Sequence, residues 1–490
     1  MKNVVSMRLR GWLARLLPLI VSLTLIAADP LPPVAPNQPG TVYLPFVSIY
    51  KANRQVNVPY FTDFDITASR FKDMAIFWFG RVTPSENYTD VRIAYNQEAL
   101  WVYLAVFDRR LWFDQTPAAD DLANWDAASL YLDLSPTTSS QPGPQSYHFL
   151  AQFTPFSEAA QRANYQRAFR GNSGTWQPAS LNFSTISGWR GDAANNDQDD
   201  RGWTMTFIIP FASLGFNPDS SPPPASLWRI GLRVMDRDSA SGAMEPAHFW
   251  PENFSPSQPG SWGIAHFGLP SYTPPTSTPG GVVVIRQGLN GAVVQDASVG
   301  GYAVCGEGAD FFREWGDKTE RFYNPDAADY NVQNQGDVAD WPCFSKIYLR
   351  FPLGAAPKGK VIRQAKLYLH QFGQAGAPGQ AFASNIQVFT VSPEWTDAAL
   401  TWNNAPLAEE NVSQARVDAL AGFSGWPGVP REWDLTYAVA KAYRAGISQL
   451  NLALYSADGA YHSGKYFVSS DVGDWNAVGR PTLEITWGDP

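Results

Sequence analysis

Cysteine is nearly absent: Cys305 and Cys343 are the only two in 490 residues. That rules out a cysteine-rich disulfide scaffold. With no CxxC pair or nearby histidine pair, it also argues against a structural zinc site. Histidine is scarce, and His148, His248, His266, His370 and His462 are scattered along the chain. Each reads as a surface or sandwich polar residue rather than a ligand or base. There is no GxSxG, no HExxH and no glycine-rich phosphate loop before a helix. The usual signatures of serine hydrolases, zinc proteases and nucleotide binding are therefore missing. Basic clusters are missing too, and the formal net charge is -9. An acidic chain without basic patches is a poor partner for nucleic acid or an anionic membrane. No long segment shows the 3.6-residue period of a helix.

One long apolar run is present. Leu16–Ala28 follows Lys2, Arg8, Arg10 and Arg15, and reads as the core of a secretory signal peptide over residues 1–28. Thirteen residues are too few to span a bilayer comfortably. Ile26 departs from the small–x–small cleavage pattern, so an uncleaved N-terminal anchor is the alternative. Removing the segment makes the chain more acidic, because it carries no Asp or Glu. In a secreted chain, two cysteines predict one disulfide, Cys305–Cys343. It would close a loop of roughly 39 residues, worth about 3–4 kcal/mol in the chain-entropy model.

What the chain has in abundance is tryptophan, glycine and proline, at 19, 39 and 39 residues. Many large aromatics among many turn formers point to short strands and an all-β fold. Residues 29–47 are a Pro-rich leader. Residues 48–270 form a first domain. Val91–Tyr95 and Leu100–Asp108 predict a hairpin turning at Asn96–Ala99, and both faces of its second strand are apolar. Ser129–Leu134, Tyr147–Phe153, Trp203–Pro210 and Trp228–Asp236 add strands, giving a β-sandwich pattern. Residues 271–281 (YTPPTSTPGG and its preceding Ser) read as a Pro/Thr/Ser/Gly linker. Residues 282–490 alternate again, with one helix predicted over Thr436–Arg444, started by Asp434 or Thr436 and stopped by Gly446. The expectation is two β-sandwich, jelly-roll-like domains in tandem.

Two resemblances follow from these stretches. In the first domain, YNQEALWVYLAVFD, NWDAASLYLDL, GWTMTFIIPFASLG, GLRVMDRD and SWGIAHFGL occur in an order that resembles family 9 carbohydrate-binding modules and their DOMON-like relatives. The Asn/Asp-rich insert from Phe156 to Asp200 departs from that pattern. In the second, KIYLRFPL, RQAKLYLHQF, SPEWTDAALTWNNAP, REWDLTYAVAKAYRAG, LNLALYSADG and RPTLEITW resemble the DNRLRE domain, which overlaps carbohydrate-binding module family 96. That resemblance implies a secreted sandwich, in some members binding alginate. Within it, Trp395 and Trp402 of PEWTDAALTWNNAP read as anchors holding the second sandwich together.

Sugar binding needs aromatic faces for pyranose C–H groups and polar groups for hydroxyls. Family 9 modules hold a sugar end between two Trp rings. Trp125 and Trp250 are the expected pair here, with Trp112 nearby and Asp126, Glu252, Asn253 and Arg110 as polar partners. In the second domain Trp315, Trp341, Trp426 and Trp475 lie in loops, and the sequence does not rank them. Hard oxygen ligands cluster in DAANNDQDD, where Asp192, Asp197 and Asp199 are candidate ligands for a structural calcium of the kind family 9 modules can carry; a solvated loop is the alternative. The reading is a secreted, extracellular or cell-surface, monomeric and non-catalytic binder of polysaccharide or cell-wall glycan. The alternatives are an adhesion or structural protein that binds no free sugar, and a glycoside-active accessory using carboxylates such as Asp120, Asp121 and Asp126.

Overall fold

The computed structural model describes residues 54–62, 70–118, 121–137, 139–217, 220–300, 310–319, 329–334, 344–458 and 462–490. The signal segment, the leader, Asp120, Trp341 and both cysteines lie outside the described residues.

The all-β reading holds. In chain order the N-terminal strands are β1 (Gln55–Val58), β2 (Ala75–Phe79), β3 (Tyr88–Tyr95), β4 (Ala99–Phe107), β5 (Ala127–Asp133), β6 (Ser146–Gln152) and β7 (Gln166–Asn172). They continue with β8 (Thr175–Pro178), β9 (Ser184–Arg190), β10 (Gly202–Pro210), β11 (Leu227–Met235), β12 (His248–Trp250) and β13 (Gly263–Phe267). The C-terminal strands are β14 (Thr278–Arg286), β15 (Gln295–Gly300), β16 (Asp329–Val332), β17 (Ser345–Pro352), β18 (Val361–Gln374) and β19 (Ser384–Val391). They end with β20 (Ala408–Val417), β21 (Val429–Asp434), β22 (Gln449–Ser456), β23 (Lys465–Val468) and β24 (Thr482–Asp489). No helix among the described residues is long and apolar enough to cross a membrane.

The β3–β4 hairpin forms with Tyr95 opposite Leu100. Its turn is set by Asn96, whose Oδ1 accepts the amides of Glu98 and Ala99 at 2.9 and 2.8 Å. The predicted helix spans Thr436–Arg444, with Asp434 Oδ1 accepting the Thr436 amide at 2.8 Å and Gly446 at φ 70° beyond its end.

The halves are not beads on a string. One sheet runs β15-β17-β22-β19-β20-β1-β13-β11-β5-β6-β7-β8, with β12 on β11. β1 is the splice: it lies parallel to β13 along its length and touches β20 at Gln55–Glu410. Opposite this sheet lie β2-β3-β4-β10-β9 in the N-terminal half and β14-β24-β18-β23-β16, with β21, in the C-terminal half.

The five-stranded sheet is covered on both faces. That is why β2 (AIFWF) and β3 (YTDVRIAY) are buried at every position. Its second cover is the C-terminal half. Trp78 packs on Phe389 and Tyr455 at 5.1 and 5.6 Å, Tyr88 on Trp402 at 5.0 Å, and Phe107 on Phe344 at 4.8 Å. The two apolar faces expected of a mid-sandwich strand therefore mark a sheet buried between two sandwiches.

The linker reading is corrected in its second part. β14 begins at Thr278 and pairs with β24 from Thr278–Asp489 onward. Gly280 and Gly281 end the stretch expected to be linker. They instead let the Trp487 ring lie against the strand: a Cβ at Gly280 would sit 2.0 Å from that ring and one at Gly281 3.1 Å. Tyr272 is tied down as well, its hydroxyl donating to the Ile362 carbonyl at 3.2 Å.

Candidate functional site

The expected N-terminal sugar clamp is not an open one. Trp250 falls within β12, opposite Leu232, so strand alternation turns it inward. It is 1% exposed, 4.3 Å from Phe77, over a Gly263 that has no side chain to collide with it. Trp112 is also buried. Trp125 is half-buried, and the Arg237 guanidinium lies 4.4 Å from its ring. Asp126 is fully buried, and its two oxygens accept the amides of Trp112 and Arg237 at 2.6 and 2.8 Å. It is a loop-binding residue and faces no cleft. Glu252 and Asn253 are exposed, with Glu252 ion-paired to Arg54. Arg110 is half-buried, 3.8 Å from Asp197.

The acids of the DAANNDQDD loop do not converge. Asp199 takes Arg109 at 2.7 Å and Arg313 at 3.4 Å, Asp197 is mostly exposed, and the Asp192 amide bonds Asp200 at 3.1 Å. Asp200 is the inward member, pushed up to about 6 by burial. Among the described residues, the acids that do converge are Asp108, Asp236 and Asp238, with one oxygen of each within 4.8 Å of the others. Asp108 directly follows β4, while Asp236 and Asp238 follow β11. Burial, then like charge, raises all three, Asp108 and Asp236 well above the usual carboxylate range.

The open aromatic surface lies in the C-terminal half. Trp426, Trp475 and Phe423 are 49%, 67% and 65% exposed. Trp426 and Trp475 meet at 5.2 Å and 85°, forming a corner with a floor and a wall. Phe423 stands edge-on to Trp426 at 5.5 Å, and Phe372 on the outer face of β18 supports it at 5.3 Å. Tyr466 of β23 continues the row 6.5 Å from Phe372. Asp474, beside Trp475, presents an almost fully exposed carboxylate, with Arg480 at 2.9 Å. Gly428, at φ 98°, lets the Trp426 loop press onto β18, since a Cβ there would lie 2.8 Å from the Gln371 carbonyl oxygen. Both tryptophans sit among glycines and polar residues (FSGWPG and VGDWNA), a signal for loop placement but not for which rings share a surface. Trp315, read as a loop residue, is buried on Trp402 at 4.7 Å.

Comparison with known proteins adds the following. Residues 327–486 match the model of carbohydrate-binding module family 96. The aromatic corner lies inside that segment. Over the N-terminal part, similar solved structures include a family 9 carbohydrate-binding module from Caldicellulosiruptor kristjanssonii in complex with cellotriose, at 13% identity and TM-score 0.31, covering 44% of this chain and 95% of that one. The same module in complex with glucose matches at 12% identity and TM-score 0.30, covering 45% of this chain and 100% of that one. No curated protein matches the chain.

Proposed function

We propose that this chain is a secreted, non-catalytic carbohydrate-binding protein that takes polysaccharide on the corner of Trp426 and Trp475. One observation carries the reading: the exposed aromatic cluster lies within the segment that matches a carbohydrate-binding module family. A monomeric protein rarely leaves several large rings together in water unless they meet a partner. A pyranose suits this corner, because its C–H face stacks on one indole while the other ring closes its flank. Asp474 supplies an acceptor for hydroxyls. Phe372, Phe423 and Tyr466 widen the aromatic surface around this corner.

The test is depletion of the purified mature chain from solution by insoluble cellulose, xylan, chitin and alginate. We expect retention by at least one of them. Trp426→Ala with Trp475→Ala should weaken it about tenfold or more, which is ~1.4 kcal/mol. Trp125→Ala should leave it unchanged. Retention untouched by the double variant would sink the corner while keeping glycan binding. No retention on any glycan would favour the adhesion or structural reading. Secretion is checked separately, by N-terminal sequencing of exported protein for a start near Asp29.

A further inference from the structure

We infer that the Trp426–Trp475 corner selects a neutral pyranose with free hydroxyls and refuses acidic sugars, and that Asp474, positioned by Arg480, makes that choice. The inference rests on the glycan reading and names the class of glycan within it. Asp474 and Trp475 are consecutive, at the start of the short helical turn Asp474–Gly479, so the carboxylate and the exposed indole share one rim. The Arg480 side chain is only 10% exposed, whereas that of Asp474 is 95% exposed. Arg480 Nη2 donates to Asp474 Oδ1 at 2.9 Å. The same guanidinium ties down the loop behind it: Nε and Nη2 reach the Val472 carbonyl at 3.1 and 2.6 Å, and Nη1 the Gln287 carbonyl at 3.2 Å. One oxygen of the carboxylate is thus held in place. The other, Oδ2, faces water and is free to accept a sugar hydroxyl. A hydrogen bond to a charged acceptor is stronger than one to a neutral acceptor, so an unsubstituted hydroxyl is rewarded there.

The charge balance points the same way. Residues 419–430 (ALAGFSGWPGVP), which carry Phe423 and Trp426, hold no charge. Residues 469–481 (SSDVGDWNAVGRP) hold Asp471, Asp474 and Arg480. With the guanidinium turned into its own loop, the charge that a ligand meets at the rim is the Asp474 carboxylate. Two residues along β18 from Phe372, His370 is pushed toward its neutral form by burial and by Arg286. Arg286, which ends β14, forms no ion pair among the described residues and is the cation an acidic ligand would find on this face. A uronate or sulfate ester seated on the indoles would bring a second negative charge to within roughly 5 Å of Asp474, which in water lowers affinity about fourfold for each unit charge.

The purified mature chain is tested by depletion on cellulose, xylan, chitin and alginate, at low and at high salt. At low salt the best-retained neutral glycan should exceed alginate by roughly tenfold or more. Salt should leave the neutral retention unchanged and raise that of alginate, because it screens repulsion between exposed charges. Asp474→Asn should weaken neutral retention about fivefold and strengthen that of alginate, at an unchanged melting temperature. Arg286→Gln should leave neutral retention unchanged. Alginate retained as well as the neutral glycans at low salt overturns the selection, and so does a neutral retention that Asp474→Asn leaves untouched. Strong alginate retention that Arg286→Gln removes also overturns it, by moving acidic recognition to the end of β14. In each of these cases loss of binding in Trp426→Ala with Trp475→Ala keeps the corner while its selectivity falls. Failure of every glycan to retain the chain sinks the glycan reading, and this inference with it.

Discussion

At the scale of single residues, two buried titratable groups make opposite demands. His148 is stacked between Tyr131 at 4.2 Å and Phe169 at 5.0 Å, with Nε2 3.0 Å from Ser129 Oγ. Burial, helped by Arg233, holds it down to about 3. The folded state thus keeps it neutral where the unfolded chain would protonate it. Its contribution is complete above the unfolded value near 6.5 and is lost as pH falls from there toward 3. Relative to a His148→Phe variant, the parent should lose roughly 1.4 kcal/mol per pH unit between pH 6 and 4 in denaturant titrations. Parallel pH profiles for the two proteins would refute this.

Lys346 is the second case. Its ammonium lies 3.7 Å from the Trp402 ring and 4.3–4.7 Å from those of Trp78, Tyr88 and Tyr455, and donates to Tyr88 Oη at 2.5 Å. Burial lowers its pKa well below the ordinary lysine value, with Asp90 opposing. The cage suits an apolar chain of the same length nearly as well. Lys346→Met should therefore change stability by under about 1 kcal/mol, while Lys346→Ala should cost about 2–4 kcal/mol by leaving a cavity. Chemical denaturation of both variants measures this, and an equal loss in both would mean the charge itself is needed.

At the scale of elements, the joint between the halves is built from side-chain amides that imitate a β-ladder. The Asn57 amide donates to Asn411 Oδ1 at 2.7 Å, Asn57 Nδ2 to the Asn411 carbonyl at 2.7 Å, and Asn411 Nδ2 to the Asn57 carbonyl at 2.9 Å. Asn403 repeats the device, its Oδ1 accepting the Val82 amide at 2.8 Å and its Nδ2 donating to the Val82 carbonyl at 3.0 Å. Asn403 belongs to PEWTDAALTWNNAP. That motif was read as an internal brace of the second sandwich. Trp395 does serve there, beneath Arg350 at 4.6 Å. Trp402 braces both halves, packing on Trp315 and Tyr455 of its own at 4.7 and 6.2 Å and on Tyr88 of the other at 5.0 Å, and Asn403 faces the other half. Asn57→Leu removes the Nδ2 donor to the buried Asn411 carbonyl and to Glu410 Oε1, and should cost about 1–3 kcal/mol in denaturant unfolding. A loss under ~1 kcal/mol would show that the β1–β20 splice is dispensable.

At the scale of the whole molecule, residues 51–490 form one compact unit, and its buried core runs from Val56 and Trp78 through Trp402 to Tyr455. A flexible tether letting two modules engage one polymer independently does not fit this arrangement. Unfolding followed by calorimetry should give a single cooperative transition. Residues 282–490 made alone should be less stable and prone to associate, because Phe389, Trp402 and Tyr455 would lose their cover. Two independent transitions, or a C-terminal half as stable alone as in the full chain, would refute the shared core.

Several of the strands, the β3–β4 hairpin and the helix at Thr436–Arg444 were legible from local pattern, because alternation, an Asn-led turn and a helix stop act over a few residues. So was the similarity of the C-terminal half to carbohydrate-binding module family 96, which rests on short ordered motifs. The sequence by itself therefore determined that the chain is all-β and where several of its strands lie, though not β1, β2 or the start of β14. It also placed Trp426 and Trp475 in loops. Only tertiary structure decided which aromatic rings are open. Trp250 and Trp426 precede similar Trp-Pro turns, yet one points into a sandwich and the other into solvent, since burial depends on what packs opposite. Tertiary structure likewise joined Asp108 to Asp236 and Asp238 and fused two apparent domains through β1. Those are contacts between residues more than a hundred positions apart, set by sheet pairing and the filling of a common core, for which no local spacing in the chain carries a mark.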